Sequence, residues 1–227
     1  WTAWQEQLAE YVRRLGGDAK ADTVAELPAD FWDDDHSADT NTTVFERRLK
    51  KLLERLSLTV SADELRLLAN GLCDVWQEGM HFDPTIYEIL PLFEGRTGLV
   101  TNFDHPPHVR KLLKENELDG FFKSVIISGE TGILKPDPGM LIAACRELDC
   151  LPGQAAYVGD SIVDYEAAKG AGMRPVLIKR EGQITPWGRR GGVTPPFDIA
   201  NYITERAELG ELEIIQHLTE IPALLQE

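Results

Sequence analysis

The chain has 227 residues, long enough for one sizeable domain or for a core with a small second unit. A hydrophobic fraction of 43% and a charged fraction of 27% are ordinary for a folded, soluble protein. The formal net charge of −15 argues against non-specific binding to nucleic acid or to an anionic membrane, because both attract basic surfaces. Arg189 and Arg190, in a Gly-rich stretch, read as a solvated loop and not as a basic patch. Cys73, Cys145 and Cys150 make no metal-ligand pattern and cannot all pair internally, so free buried thiols in a reducing cytoplasm are expected. No apolar run approaches the ~20 residues of a membrane span, and nothing at the start resembles a signal peptide. The chain starts at Trp1 and not at Met, so some natural sequence is expected to precede it.

Residues 1–80 read as helical. Leu8, Tyr11, Val12 and Leu15 recur at helical spacing and stop at Gly16-Gly17. An acidic stretch with Asp33-Asp34-Asp35 follows, and then a second helical pattern through Phe45, Leu49, Leu52, Leu53 and Leu56. Ser61 precedes Glu64 at capping-box spacing and opens a third helix through Leu65, Leu68, Leu72 and Trp76. From about His81 short apolar strands alternate with helices. The strands are expected at 97–101, 124–128, 155–158 and 175–178, and the helices at 109–116, 138–148 and 163–171. Residues 180–212 read as loop-rich, 213–215 as a last strand and 218–225 as a closing helix. This alternation implies a doubly wound parallel sheet with helices on both faces, an α/β core of the Rossmann type over 81–227.

Ligands of such sheets collect at the carboxyl ends of the strands. Three ends carry chemistry here. Thr101 and Asn102 offer a hydroxyl and an amide able to hold a phosphoryl oxygen, although a Thr-Asn pair after a strand is commonly a turn or cap. Lys135 stands before Pro136 in a loop entering a helix, where an ammonium would neutralise a phosphate or a carboxylate; a surface lysine in a turn is the plainer alternative. Gly159-Asp160 and Asp164 bring two carboxylates together as strand passes into helix. That pair favours Mg²⁺, with Asp160 as direct ligand and Asp164 binding directly or through water, unless one Asp simply caps the helix.

In this order and spacing the three segments resemble the haloacid dehalogenase superfamily. Its second motif is similar to Val100-Thr101-Asn102, its third to Lys135-Pro136, and its fourth to Gly159-Asp160 with Asp164, over residues ~83–180. The resemblance implies that residues 1–80 are an α-helical cap that helps choose the substrate. It also implies a Mg²⁺-dependent phosphohydrolase acting on a small phosphate monoester through an aspartyl-phosphate. Thr101, Asn102 and Lys135 would hold the phosphoryl oxygens, and Asp160 and Asp164 the metal.

The family's first motif, an Asp-x-Asp pair ending a central strand, has no counterpart in the chain: Asp33-Asp34-Asp35 follows a segment too short and polar to be that strand. The first core strand is therefore expected upstream of Trp1, and the chain by itself is expected to be inactive. A 2-haloacid dehalogenase and a non-catalytic binding protein remain as alternatives. Members of the dehalogenating branch usually carry serine and asparagine where this chain has Gly159-Asp160, which favours the phosphatase. Substrate and oligomeric state are open; Phe45, Trp32, Trp76 and His81 are candidate substrate contacts, with core packing the commoner role for aromatics at helical spacing.

Overall fold

The computed structural model describes residues 2–17, 31, 41–78, 82–179 and 199–225. Trp32, the acidic run 33–35, His81, Trp187, Arg189 and Arg190 lie outside the described residues. Among the described residues no helix is long and apolar enough to cross a membrane. The chain divides into two compact units. One comprises Trp1–Phe82, Phe103–Glu117 and Ser128–Gly132, the other Asp83–Asn102, Leu118–Ile127 and Ile133–Glu227.

The first unit is helical. α1 (Thr2–Arg14), α2 (Val44–Arg55) and α3 (Ala62–Gln77) bury one apolar stripe each. Trp4, Leu8, Phe45, Leu49, Leu53, Leu65, Leu68 and Leu72 form their shared core. The chain leaves α1 at Gly16, whose φ of +82° a side chain would strain. The Ser61–Glu64 capping box is present at the start of α3. A second box, Thr43–Glu46, opens α2; its spacing is legible in the sequence and completes the pattern there. α4 (Pro106–Glu115) belongs to the same unit and brings two buried histidines, His105 and His108.

His105 Nε2 lies 2.8 Å from Asn70 Oδ1, and Nδ1 lies 2.9 Å from Thr43 Oγ1. An amide oxygen only accepts, so Nε2 carries the proton and Nδ1 accepts from the threonine hydroxyl. Burial, with His108 adding to it, pushes His105 down to about 4. The unfolded chain therefore takes up a proton that the folded chain refuses, and stability that is complete above pH ~6.5 is lost as pH falls toward 4. We expect this residue to remove about 2 kcal/mol of unfolding free energy between pH 7.5 and pH 5. Urea denaturation at the two pH values should show that loss, and His105→Gln should flatten it; an unchanged slope in the variant would exclude His105 as the source.

The second unit carries the strands. β1 (Gly98–Thr101) pairs in parallel with β2 (Ser124–Ile127), Val100 facing Ile126. β3 (Ala156–Gly159) pairs in parallel with β4 (Arg174–Ile178), and β4 with β5 (Glu213–Ile215). The parallel pairings thus form two sheets, β1–β2 and β3–β4–β5. α5 (Gly139–Glu147) and α6 (Ile162–Ala171) bury Met140, Leu141, Ala144, Ala167 and Ala168 against Val100 and Ile126. On β4, Leu177 packs with Ile162, Tyr165 and Ile203, while its neighbours Val176 and Ile178 pack with Ile215 and Ile221. Alternate residues of the strand are therefore covered on opposite faces, as a doubly wound α/β core requires.

Two expectations need correction. Within the segment read as loop-rich, Ile199–Glu208 is a helix, α7. Tyr202, Ile203 and Ala207 carry a helical spacing that the preceding Gly and Pro residues obscure, and Ile203 is fully buried in the cluster of Tyr165 and Leu177. The closing helix is shorter than expected: Leu218–Glu220 is a 3₁₀ turn, followed by the four residues Ile221–Leu224.

Candidate functional site

Lys135 is the centre of the site. It lies in the loop between β2 and α5, and the Lys135–Pro136 peptide is cis. The Asn102 side chain, one residue past β1, clamps the Lys135 main chain from both sides: Nδ2 donates to its carbonyl at 3.0 Å and Oδ1 accepts from its N–H at 2.9 Å. The ammonium is then directed at β3 and α6. It donates to Asp164 Oδ1 at 2.6 Å and Tyr157 Oη at 2.7 Å, and reaches Val100 O at 3.4 Å. Both members of the ion pair are buried, with side chains 9% (Lys135) and 5% (Asp164) exposed. Thr101 is half-buried at the last position of β1, in register with Ile127.

The loop between β3 and α6 is built around Asp164. Its Oδ2 accepts from the main-chain N–H groups of Asp160 at 3.1 Å and Ser161 at 3.0 Å, and from the Ser161 hydroxyl. Asp164 is thus a helix cap as well as the partner of Lys135. Burial raises its carboxyl, but the Lys135 ammonium and the Ser161 and Asp160 donors outweigh burial, and the net shift is downward. Gly159 makes the approach possible: a Cβ there would stand 2.4 Å from Asp164 Cβ. Asp160, by contrast, is exposed at the carboxyl end of β3.

Tyr157 is the member that the sequence reading passed over. Its hydroxyl accepts from Lys135, donates to Val100 O at 3.0 Å and lies 3.3 Å from Asp164 Oδ1. Burial and the Asp164 carboxylate together raise its pKa well above the usual phenol range, so it stays a neutral donor. Strand periodicity held the clue. Tyr157 and Gly159 lie two apart on one face of β3, the face Gly159 clears for Asp164, and a buried tyrosine hydroxyl needs a partner.

The structure therefore links Asn102, Lys135, Asp160, Asp164 and the end of β1 through one hydrogen-bond network. It gives the Asn102 amide a task beyond the one expected, since both of its polar atoms hold the Lys135 backbone. Trp76 and Phe45 lie in the helical unit. Trp76 packs 5.5 Å from Phe103 and Phe45 6.0 Å from His105, ring centre to ring centre, as core aromatics.

Whether these residues suit a divalent cation follows from their donors. Among the described residues no cluster of three or more His, Cys, Asp or Glu side chains is arranged to hold a metal. Asp164 has both oxygens engaged, whereas Asp160 presents an exposed carboxylate beside the network. Mg²⁺ commonly keeps several waters and takes one or two carboxylates together with phosphate oxygens. Asp160 fits that pattern as a direct ligand, and Asp164 fits it only through water.

A parallel α/β core with a buried ammonium–carboxylate pair beside its strand ends places charged groups where such sheets bind ligands. The chain belongs to the haloacid dehalogenase-like hydrolase family, whose model matches residues 4–172. It is 40% identical over 80 residues to a glyceraldehyde 3-phosphate phosphatase of Methanopyrus kandleri, covering 35% of this chain and 34% of that protein. It is 32% identical over 106 residues to a phosphoglycolate phosphatase of Escherichia coli, covering 45% and 42%. These matches span less than half of each curated relative. Among solved structures, a 2-haloacid dehalogenase from Pseudomonas syringae superposes with a TM-score of 0.56 at 22% identity, covering 99% of this chain and 88% of the other, a likeness of fold alone.

Proposed function

We propose that the protein is a Mg²⁺-dependent phosphohydrolase acting on a small phosphate monoester. The observation that carries this reading is the buried Lys135 ammonium, aimed at the strand ends by Asn102, Tyr157 and Asp164. A fixed cation in a low-dielectric setting stabilises negative charge far better than a solvated one. On this reading Lys135 and the Thr101 hydroxyl hold phosphoryl oxygens, and Asn102 acts by fixing the Lys135 backbone. Asp160 would hold Mg²⁺, with Asp164 reaching it through water; the ion, when bound, supplies Lewis-acid neutralisation of the phosphate charge. The phosphatases among the relatives support a phosphate ester as substrate. A carboxylate at 160 suits a cation and repels a halide, which disfavours carbon–halogen hydrolysis.

On this reading the group that attacks phosphorus is a carboxylate. Among the described residues the carboxylate bonded to Lys135 is Asp164, whose oxygens are committed to the helix cap and the ion pair. The same proposal places the nucleophile in an Asp-x-Asp strand encoded ahead of Trp1, and treats residues 1–80 as the substrate-selecting cap. The coding sequence upstream of the Trp1 codon tests the first of these: an apolar run ending in Asp-x-Asp supports an enzyme, and its absence supports a binding protein. Asp160→Asn tests the metal assignment. In the protein carrying its upstream segment, assayed with Mg²⁺ over a panel of phosphate monoesters, the variant is expected to lose about 10²-fold or more in kcat/KM while unfolding at the same urea concentration as the parent. Full activity in Asp160→Asn would overturn the assignment.

A further inference from the structure

The C-terminus of α5 is closed by a pair of main-chain bonds. Asp149, with φ of +56°, turns left-handed; its N–H donates to Arg146 O at 3.2 Å, and the Cys150 N–H donates to Cys145 O at 3.0 Å. This is a Schellman stop, in which the residue three from the helix end and the second residue beyond the cap are folded against each other. Here those two positions are Cys145 and Cys150, tied to each other through the Cys150 N–H and the Cys145 carbonyl. A separation of five residues along a continuing helix would turn the two side chains apart; the left-handed residue between them folds the second back onto the first. Cys145 is buried and Cys150 half-buried, so Cys150 is the more accessible of the two residues.

We propose that Cys145 and Cys150 are a reversible oxidation site that closes as an intrachain disulfide when a hydroperoxide reaches Cys150. The Cys150 thiolate attacks one peroxide oxygen: an S–O bond forms, the O–O bond breaks, and the departing hydroxide takes up a proton and leaves as water. The Cys145 sulfur then attacks the Cys150 sulfur. The S–S bond forms, the S–O bond breaks, and a second water carries away the hydroxyl with the Cys145 proton. Two thiols lose two electrons and the peroxide gains them. Burial, and Cys150 beside it, push the Cys145 thiol up to about 11, which disfavours Cys145 for the first attack. Cys73 lies in the helical unit, where burial followed by Asp74 and Asp104 pushes its thiol up to about 12, and it stays reduced. This site is independent of the phosphohydrolase reading.

The sequence supplies a direct readout, because Arg146 lies between the two cysteines and trypsin separates them. The folded protein is treated with a small excess of hydrogen peroxide, alkylated with iodoacetamide and digested. The expected product is peptide 124–146 joined to peptide 147–169, two hydrogens lighter than their sum and released by dithiothreitol. Cys145→Ser should instead accumulate a Cys150 sulfenic acid that dimedone traps, and Cys73→Ser should cross-link like the parent. Alkylated Cys145 beside a sulfinic acid at Cys150, or a cross-link that involves Cys73 or a second chain, would overturn the assignment.

Discussion

Lys135→Met is expected to lower the unfolding free energy by about 3 kcal/mol, because removing one partner of a buried ion pair leaves the other charge uncompensated. The Asp164 carboxylate is 5% exposed and would lose its shortest charged contact. Its bonds from Asp160 and Ser161 remain, which keeps the loss toward the low end of the range for broken buried pairs. The pH dependence should also change sign. In the parent the Asp164 carboxyl is held below its ordinary value, so the stability it contributes is present above the unfolded carboxylate pKa and is lost as pH falls through the folded one. Without Lys135, burial dominates and the carboxyl rises above its unfolded value. Its contribution is then retained in acid and lost as pH rises through the new folded pKa. Urea denaturation of the variant at pH 5 and pH 8 would read this directly, with Lys135→Met/Asp164→Asn recovering part of the loss at pH 8. A change below about 1 kcal/mol would place the pair among weak surface bridges and remove its structural importance. On the proposed reading the same variant, made in the protein with its upstream segment, loses about 10²–10³-fold in kcat/KM, the scale seen when one fixed charge-stabilising donor is deleted.

Gly159→Ala should be nearly as damaging while changing no charge. The added methyl would stand 2.4 Å from Asp164 Cβ and 2.5 Å from its carboxyl carbon, so α6 or the β3 exit must move. Overpacking of this kind costs about 1–3 kcal/mol. The displaced atoms belong to the carboxylate that orients Lys135, and a misplacement of about 1 Å can cost on the order of 10²-fold in rate. Gly153→Ala is the matched control, since the nearest atom to its new methyl, Gly172 O, is 3.9 Å away. The pair should separate clearly in denaturation midpoint and, in the protein with its upstream segment, in phosphatase assay. Equal behaviour of the two would show that the close approach at Gly159 is relieved without disturbing the site.

Most of the α/β alternation was legible because each strand is a short β-branched run bounded by turn residues, as in Ser124–Ile127, and each helix repeats its apolar positions. The helix Ile199–Glu208 was hidden, since its apolar stripe is brief and follows a Gly- and Pro-rich stretch; its burial partners Tyr165 and Leu177 are distant in sequence. Residue types and spacing pointed to Lys135, Asp160 and Asp164. Nothing in the spacing could reveal that Asn102 grips the backbone of Lys135, 33 residues on, or that Tyr157 closes the network through Val100 O. Such contacts depend on which face of a strand meets which loop.

By itself the sequence determined the class of fold, the family membership carried by three short segments, and the chemical kinds available: one hydroxyl, one amide, one ammonium and two carboxylates. Local rules suffice for these, because helical and strand periodicity and motif spacing are properties of neighbouring residues. Only the tertiary structure decided how those groups divide their work. Asp164 became a buried cap and counter-ion, whereas Asp160, four residues earlier, stayed exposed. The reason is electrostatic: a carboxylate leaves water only where fixed donors replace its hydration, and the fold delivers those donors, from Lys135 and the Ser161 turn, to one of the two aspartates.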